Sequence, residues 1–239
     1  MRIILGKQDM SDLQRAQEHN FLLTNGLGGY GSLTAAFGVN RCDLGVLVAA
    51  VKAPNERITL VHRMRETLTV GEASCFLSTQ AFAGGRKPEE GYRNLCTFAY
   101  DGTSRWDYQV GGISLSRTLA VPQGANTAAL VYEIENNGEV PCTLQLDPFL
   151  KFGPKEQALS EKKRFAMSKN RIRSDGYTMY IHTDGQLRKM PVCWQTLHYP
   201  EDARDGRPGK GLSACCCRNE KTVAPGERAV LEVVFSTEK

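Results

Sequence analysis

The sequence predicts an all-β protein built from large packed antiparallel sheets, and three observations carry that prediction. Apolar and polar residues alternate with a period of two through many short segments, as they do in half-buried strands. Turn chemistry such as Asp101-Gly102, Gly111-Gly112 and Asn136-Asn137-Gly138 recurs about every ten residues. The total is about sixteen to eighteen strands, more than the roughly seven of a simple sandwich, and two large antiparallel sheets account for the surplus.

Taken in order, residues 1–20 read as a short strand followed by a helix running to about His19. Ser11-Asp12-Leu13-Gln14 has the form of a capping box, with Ser11 as N-cap. A strand-like Phe21-Leu22-Leu23-Thr24 leads into Thr24-Asn25-Gly26-Leu27-Gly28-Gly29-Tyr30-Gly31-Ser32, and an apolar run follows at 46–51. Four glycines in nine residues mark a backbone that turns sharply or runs close to something. Residues 57–62, 66–70 and 74–79 read as three strands, and 83–91 as a polar loop rich in breakers. Strands are expected at 95–100, 105–110, 113–121, 127–135 and 142–149. The stretch 151–169 is the most polar, with 155–163 a loop or short helix, and its charges read as a solvated surface. The last third returns to strands at 177–182, 192–199, 212–217 and 229–235. No linker rich in Pro, Gly and Ser divides the chain, so one domain is expected over 1–239, with 1–20 leading into it.

Composition narrows the function classes. Hydrophobic residues make up 41% and charged residues 23% of 239 residues, which suits a packed core and not disorder. A net charge of +4 without a long Lys/Arg run is too small to imply a nucleic-acid partner. The N-terminal apolar stretch is too short for a signal peptide, and no segment approaches a membrane span, so a soluble cytoplasmic protein is expected. Five of the eight cysteines are scattered singly, and Cys215-Cys216-Cys217 are consecutive. Adjacent strand residues point to opposite faces, which is poor geometry for zinc. Reduced thiols, no metal and no cofactor are the expectation.

Several stretches together resemble a known family. Leu23-Thr24-Asn25-Gly26-Leu27-Gly28-Gly29-Tyr30-Gly31-Ser32, then 38–41, then Gly45-Val46-Leu47-Val48-Ala49-Ala50, are similar to the N-terminal domain of bacterial and archaeal glycogen debranching enzymes of the amylo-α-1,6-glucosidase type. Residues 199–209, Tyr-Pro-Glu-Asp-Ala-Arg-Asp-Gly-Arg-Pro-Gly, resemble an acidic stretch late in that domain, so the likeness runs from about Phe21 to the end. It implies a galactose-mutarotase-like β-supersandwich, with the catalytic carboxylates in a following (α/α)-barrel domain. Departures are visible. Asn40-Arg41-Cys42-Asp43-Leu44-Gly45 stands where relatives carry Thr-Arg-Arg-Tyr-His-Gly, and 147–152 replaces an Arg-Asp-containing segment.

The candidate residues follow. The glycine loop has two readings: Asn25 and Tyr30, with the backbone at Gly28 and Gly29, line a sugar groove, or the loop braces a neighbouring domain. Arg41 and Trp194 complete the ligand-binding set, and Trp194 between Cys193 and Gln195 also suits the core. Glu201, Asp202, Arg204 and Asp205, flanked by Pro200 and Gly206, read as a charged surface loop or as an interdomain contact. A glycosidase needs two carboxylates around the scissile bond. The chain lacks the long amphipathic helices of a barrel, so no catalytic residue is assigned. Three functions are weighed: a supporting domain of a debranching-type enzyme, a stand-alone α-glucan-binding module, and a mutarotase-like epimerase using His182 or His198. A homodimer through an exposed apolar face is also expected.

Overall fold

Where the sequence alternates, the chain extends. The computed structural model describes residues 2–52, 56–155 and 157–239, and the statements below concern those. Along the chain run β1 (Ile3–Gly6), α1 (Leu13–Ala16), β2 (Asn20–Thr24), β3 (Tyr30–Thr34), β4 (Gly45–Lys52), β5 (Glu56–Val70), β6 (Ala73–Phe76), β7 (Thr79–Gln80) and β8 (Glu89–Glu90). After a 3-10 turn (Gly91–Arg93) come β9 (Leu95–Tyr100), β10 (Ser104–Val110), β11 (Ile113–Ala120), β12 (Thr127–Asn136) and β13 (Cys142–Pro154). The chain finishes with β14 (Ala166–Ser168), β15 (Arg171–Ser174), β16 (Tyr177–Thr183), β17 (Gln186–His198), α2 (Pro200–Arg204), β18 (Lys210–Val223) and β19 (Arg228–Ser236).

Two large antiparallel sheets result, as the strand rhythm predicts. The first is nine-stranded in the order β1-β9-β10-β11-β12-β19-β16-β15-β14. The second is eight-stranded, β17-β18-β13-β5-β4-β3-β2, with β6 added beside β5. Their inner faces share one core, with Trp106, Leu115, Leu130 and Tyr132 from the first sheet and Leu33, Val46, Met64 and Leu144 from the second. Each such side chain, fully buried, contributes about 1.5–3 kcal/mol of hydrophobic stabilisation.

Four expectations are corrected. Helix α1 stops at Ala16 and its N-cap is Asp12, whose carboxylate accepts the Arg15 N–H at 2.9 Å. Ser11 instead bonds Asp12, and the His19 carbonyl is captured by the Ala35 N–H at 2.7 Å, which draws the chain into β2. The strands expected at 57–62 and 66–70 are one strand, β5, because β13 pairs along nearly its whole length. Register shifts against both β13 and β4 absorb extra residues near His62. The polar loop 83–91 buries Glu89 at its end. Lys151 is no surface charge either: it lies 3% exposed within β13, its ammonium donating to the carbonyls of Cys42 (3.1 Å) and Lys155 (2.7 Å). Of the segment 155–163, residue 156 lies outside the described residues, as does Met1. Residues 157–163 form neither helix nor strand. No helix among the described residues is long and apolar enough to cross a membrane.

Candidate functional site

The glycine loop is held from inside. Gly26 and Gly28 take positive φ values of 74° and 95°, and the turn they permit wraps around the Asn25 side chain. The Asn25 oxygen accepts the N–H groups of Leu27 and Gly29, both at 2.9 Å. Its amide nitrogen donates to the Ala125 carbonyl at 2.9 Å and to Asn126 at 3.1 Å. Those bonds satisfy a side chain that is only 1% exposed, so Asn25 ties the loop to the 123–126 turn. Gly29 has no room for a Cβ, which would fall 2.6 Å from the Asn25 amide nitrogen and 2.9 Å from the Val48 carbonyl. The Gly28 carbonyl accepts from Arg57 at 2.6 Å. Thr24, Gly26 and Leu27 are exposed and Gly28 and Tyr30 half-buried, so these residues are the part of the loop left facing solvent.

Tyr30 leads to the second group. Its hydroxyl donates to the Asp43 carbonyl at 2.6 Å, fastening β3 to the segment that carries Arg41. The Arg41 guanidinium bonds Asp205 and lies 3.8 Å from Glu201 and 3.6 Å from Asp202. Asp202 is fully buried and accepts the Cys42 N–H at 2.7 Å, while Arg207 approaches its other oxygen at 3.2 Å. The Glu201 N–H donates to the Asn40 carbonyl at 3.2 Å, and Arg204 bonds Glu201 at 3.0 Å. Arg41 and the acidic loop, which the sequence separates by 160 residues, are therefore one ion cluster seated on α2. Arg41 holds the Asp205 carboxyl below its ordinary range. Trp194 lies apart, half-buried on β17 with its ring 6.2 Å from Phe165, while Trp106 is wholly in the core.

Sequence reasoning missed the buried charges. Glu66 on the second sheet meets Arg117 on the first, both without exposure, and Tyr132 donates to Glu66 at 2.6 Å. The Arg117 guanidinium also sits 3.3 Å from the Phe37 ring centre and 4.3 Å from Trp106. On the outer face of the second sheet, Arg63 pairs with Glu89 and bonds Gln195, beneath the segment that carries β7 and β8. Beside it, Asp147 is gripped by Arg65 and Arg218. Burial raises the Asp147 pKa, but the bonds from Arg218 and Arg65 outweigh it and hold the carboxyl below its ordinary range. One signal was available: Met64, Glu66 and Leu68 share a face at period two, so Glu66 had to point where its apolar neighbours point.

The histidines do not gather. His62 is buried in the second sheet, with its ring 5.8 Å from Tyr199. Burial, and then Lys151, push its pKa well below the ordinary value. His182 is exposed on β16 of the first sheet, and His198 half-buried at the end of β17 in the second. A groove of about 590 Å³ crosses the outer face of the first sheet, lined by Arg105, Asp107, Gln109, Glu133, Glu135 and Arg228. Its carboxylates are partnered: Arg105 lies 3.0 Å from Asp107 and 3.2 Å from Glu133, and Arg228 lies 2.7 Å from Glu135.

Comparison with known proteins adds the following. Residues 19–230 match the family profile described as glycogen debranching enzyme N terminal. No curated protein matches the chain. Among solved structures, a putative kojibiose phosphorylase from human microbiome aligns with 98% of this chain at 9% identity and a TM-score of 0.46. This chain spans only 32% of that protein's length. A GalM/aldose epimerase homologue from C. elegans aligns with 91% of this chain and 98% of its own, at 10% identity and a TM-score of 0.47. A putative aldose 1-epimerase from Escherichia coli K12 covers the same shares, at 10% identity and 0.46.

Proposed function

Because this chain belongs to the glycogen debranching enzyme N-terminal family, we propose that it is a non-catalytic β domain of a glycoside hydrolase acting on glycogen or a related α-glucan. Its role is to support a catalytic (α/α)-barrel domain and to shape substrate access. The observation that carries the non-catalytic part is the state of the buried carboxylates. Glu66, Glu89, Asp147 and Asp202 each lie against arginine, and Glu66 is enclosed between the sheets where no glycan reaches. A general acid or nucleophile must face the scissile bond, and its partner must stand across that bond.

The Arg41 cluster suits an interdomain edge. Its buried member, Asp202, fixes the geometry, while Arg204, Asp205 and Arg207 project with side chains 60%, 45% and 41% exposed. Rigidly held charges of both signs favour register and orientation at a contact more than raw affinity. At the glycine loop, Leu27, Gly28 and Tyr30 form the surface that a glucan would touch.

The test has two arms. Purified chain is mixed with the (α/α)-barrel domain of a debranching-type enzyme, and complex formation is measured by calorimetry for wild type and Arg41→Ala. Glycogen and maltooligosaccharides are titrated separately, with Tyr30→Ala alongside. Docking weakened by Arg41→Ala, with no α-1,6 cleavage by the chain alone, supports the reading. Cleavage by the isolated chain overturns it. Glucan binding without any barrel docking favours a stand-alone binding module.

A further inference from the structure

Cys193 and Cys215 stand opposite each other in the β17–β18 pairing, so both side chains leave the same face of the second sheet. Residues directly opposed in an antiparallel pair have Cα atoms about 4.5–5.5 Å apart, inside the roughly 4.4–6.8 Å that a disulfide spans. Neither thiol is joined to another cysteine. β17 is the edge strand of its sheet, and Cys193 is half-buried there. Cys215 is 1% exposed, with its sulfur 3.0 Å from the Cys217 carbonyl. A register shift between Lys189 and Cys193 adds backbone slack beside the pair, and bulges of this kind re-aim side chains.

We propose that Cys193 and Cys215 form a thiol–disulfide exchange site on the outer face of the second sheet, with low-molecular-weight disulfides as the oxidant. The half-buried edge-strand member attacks and the buried member resolves. The Cys193 thiolate attacks one sulfur of the small disulfide RSSR, forming a mixed disulfide and releasing RS⁻. Cys215 then gives up its proton and attacks the Cys193 sulfur, releasing the second RS⁻. Two protein thiols are oxidised to one cross-strand disulfide, and RSSR is reduced to two RSH.

The surroundings favour Cys193 as the attacking group. The adjoining Cys215 thiol, helped by the Arg65 guanidinium and opposed by burial and by Asp147, holds Cys193 down to about 6. Burial pushes the half-buried Cys42 up to about 11, with Asp202 adding to it, and burial also raises Cys75. A thiol with a pKa below ambient pH is largely thiolate, and the thiolate is the reactive form.

The folded protein is treated with oxidised glutathione at pH 7, and its cysteines are mapped by peptide mass spectrometry over time. Cys193 should react at least about tenfold faster than Cys42 or Cys75. Wild type should end with a Cys193–Cys215 disulfide, and Cys215→Ser should stop at a mixed disulfide on Cys193. Cys193→Ser should leave Cys215 unmodified. Near-UV circular dichroism establishes that each variant retains the fold, and the wild-type outcome needs no variant. The proposal is overturned if Cys193 stays reduced, if its mixed disulfide persists in wild type, or if Cys215 is bridged to a different cysteine.

Discussion

Glu66 and Arg117 show what a single buried charge requires. With 0% exposure on both sides, neither has water to fall back on, and each is compensated by the other and by tyrosine hydroxyls. Glu66→Ala should destabilise the fold by about 3–5 kcal/mol, read as a shifted urea midpoint, because it strands a guanidinium among Phe37 and Trp106. The double change Glu66→Leu with Arg117→Met should cost less than Glu66→Ala alone. A larger loss in the double variant would show that the pair itself, and not the stranded charge, sets the cost. His62 gives a pH prediction. Burial places its folded pKa well below 6.5, so the unfolded chain takes up the proton first as pH falls. Its contribution is complete above 6.5 and is lost as pH drops toward the folded value, by up to about 1.4 kcal/mol per pH unit. His62→Phe should flatten the stability profile between pH 6.5 and 5 relative to wild type. An unchanged slope would assign that pH dependence to other groups.

Among the elements, the close approaches matter more than the turns. A Cβ on Gly38 would lie 1.9 Å from the Thr79 carbonyl, where β7 passes over the chain following β3. Gly38→Ala must therefore move backbone, at a cost of about 1–3 kcal/mol. Gly84 has a φ of 77° but nothing within 4 Å of its Cβ direction, so Gly84→Ala bears only the conformational cost of about 1 kcal/mol. Thermal unfolding of the two variants should rank them in that order, and equal shifts would mean that the β7 crossing yields freely. Strand β5 makes the same point about elements: its length is set by the strand beside it, and its two bulges place His62 and Leu60 outside the regular ladder. Propensity within 56–70 gave two strands because the charged Arg63 and Arg65 interrupt the apolar pattern. The structure shelters them with Glu89, Asp147 and Phe149.

At the scale of the whole molecule, both sheets contribute to one core, and buried bonds join them, among them Glu66 with Arg117 and the Asn136 amide of β12 with the Val223 carbonyl of β18 at 3.1 Å, while Trp106 donates to the Ala35 carbonyl just past β3 at 2.7 Å. Loss of either sheet would expose the other's inner face. Urea unfolding followed by tryptophan fluorescence and by far-UV circular dichroism should accordingly give coincident transitions. Separated midpoints would show that the sheets melt independently.

The sequence by itself determined the class of fold, the two-sheet architecture and most strand positions, because alternation and turn residues act over a few neighbours and leave a local trace. It also carried the family, through the glycine-rich string and the 199–209 stretch. Tertiary structure decided what those residues do. Asn25 became a brace because the 123–126 turn happens to supply its partners, and Arg41 met Asp202 and Asp205 because the β3–β4 and β17–β18 connections, far apart in the chain, come together in the fold. The buried arginines were illegible for the same reason: a charge reads as solvated until the long-range pairing that covers it is known.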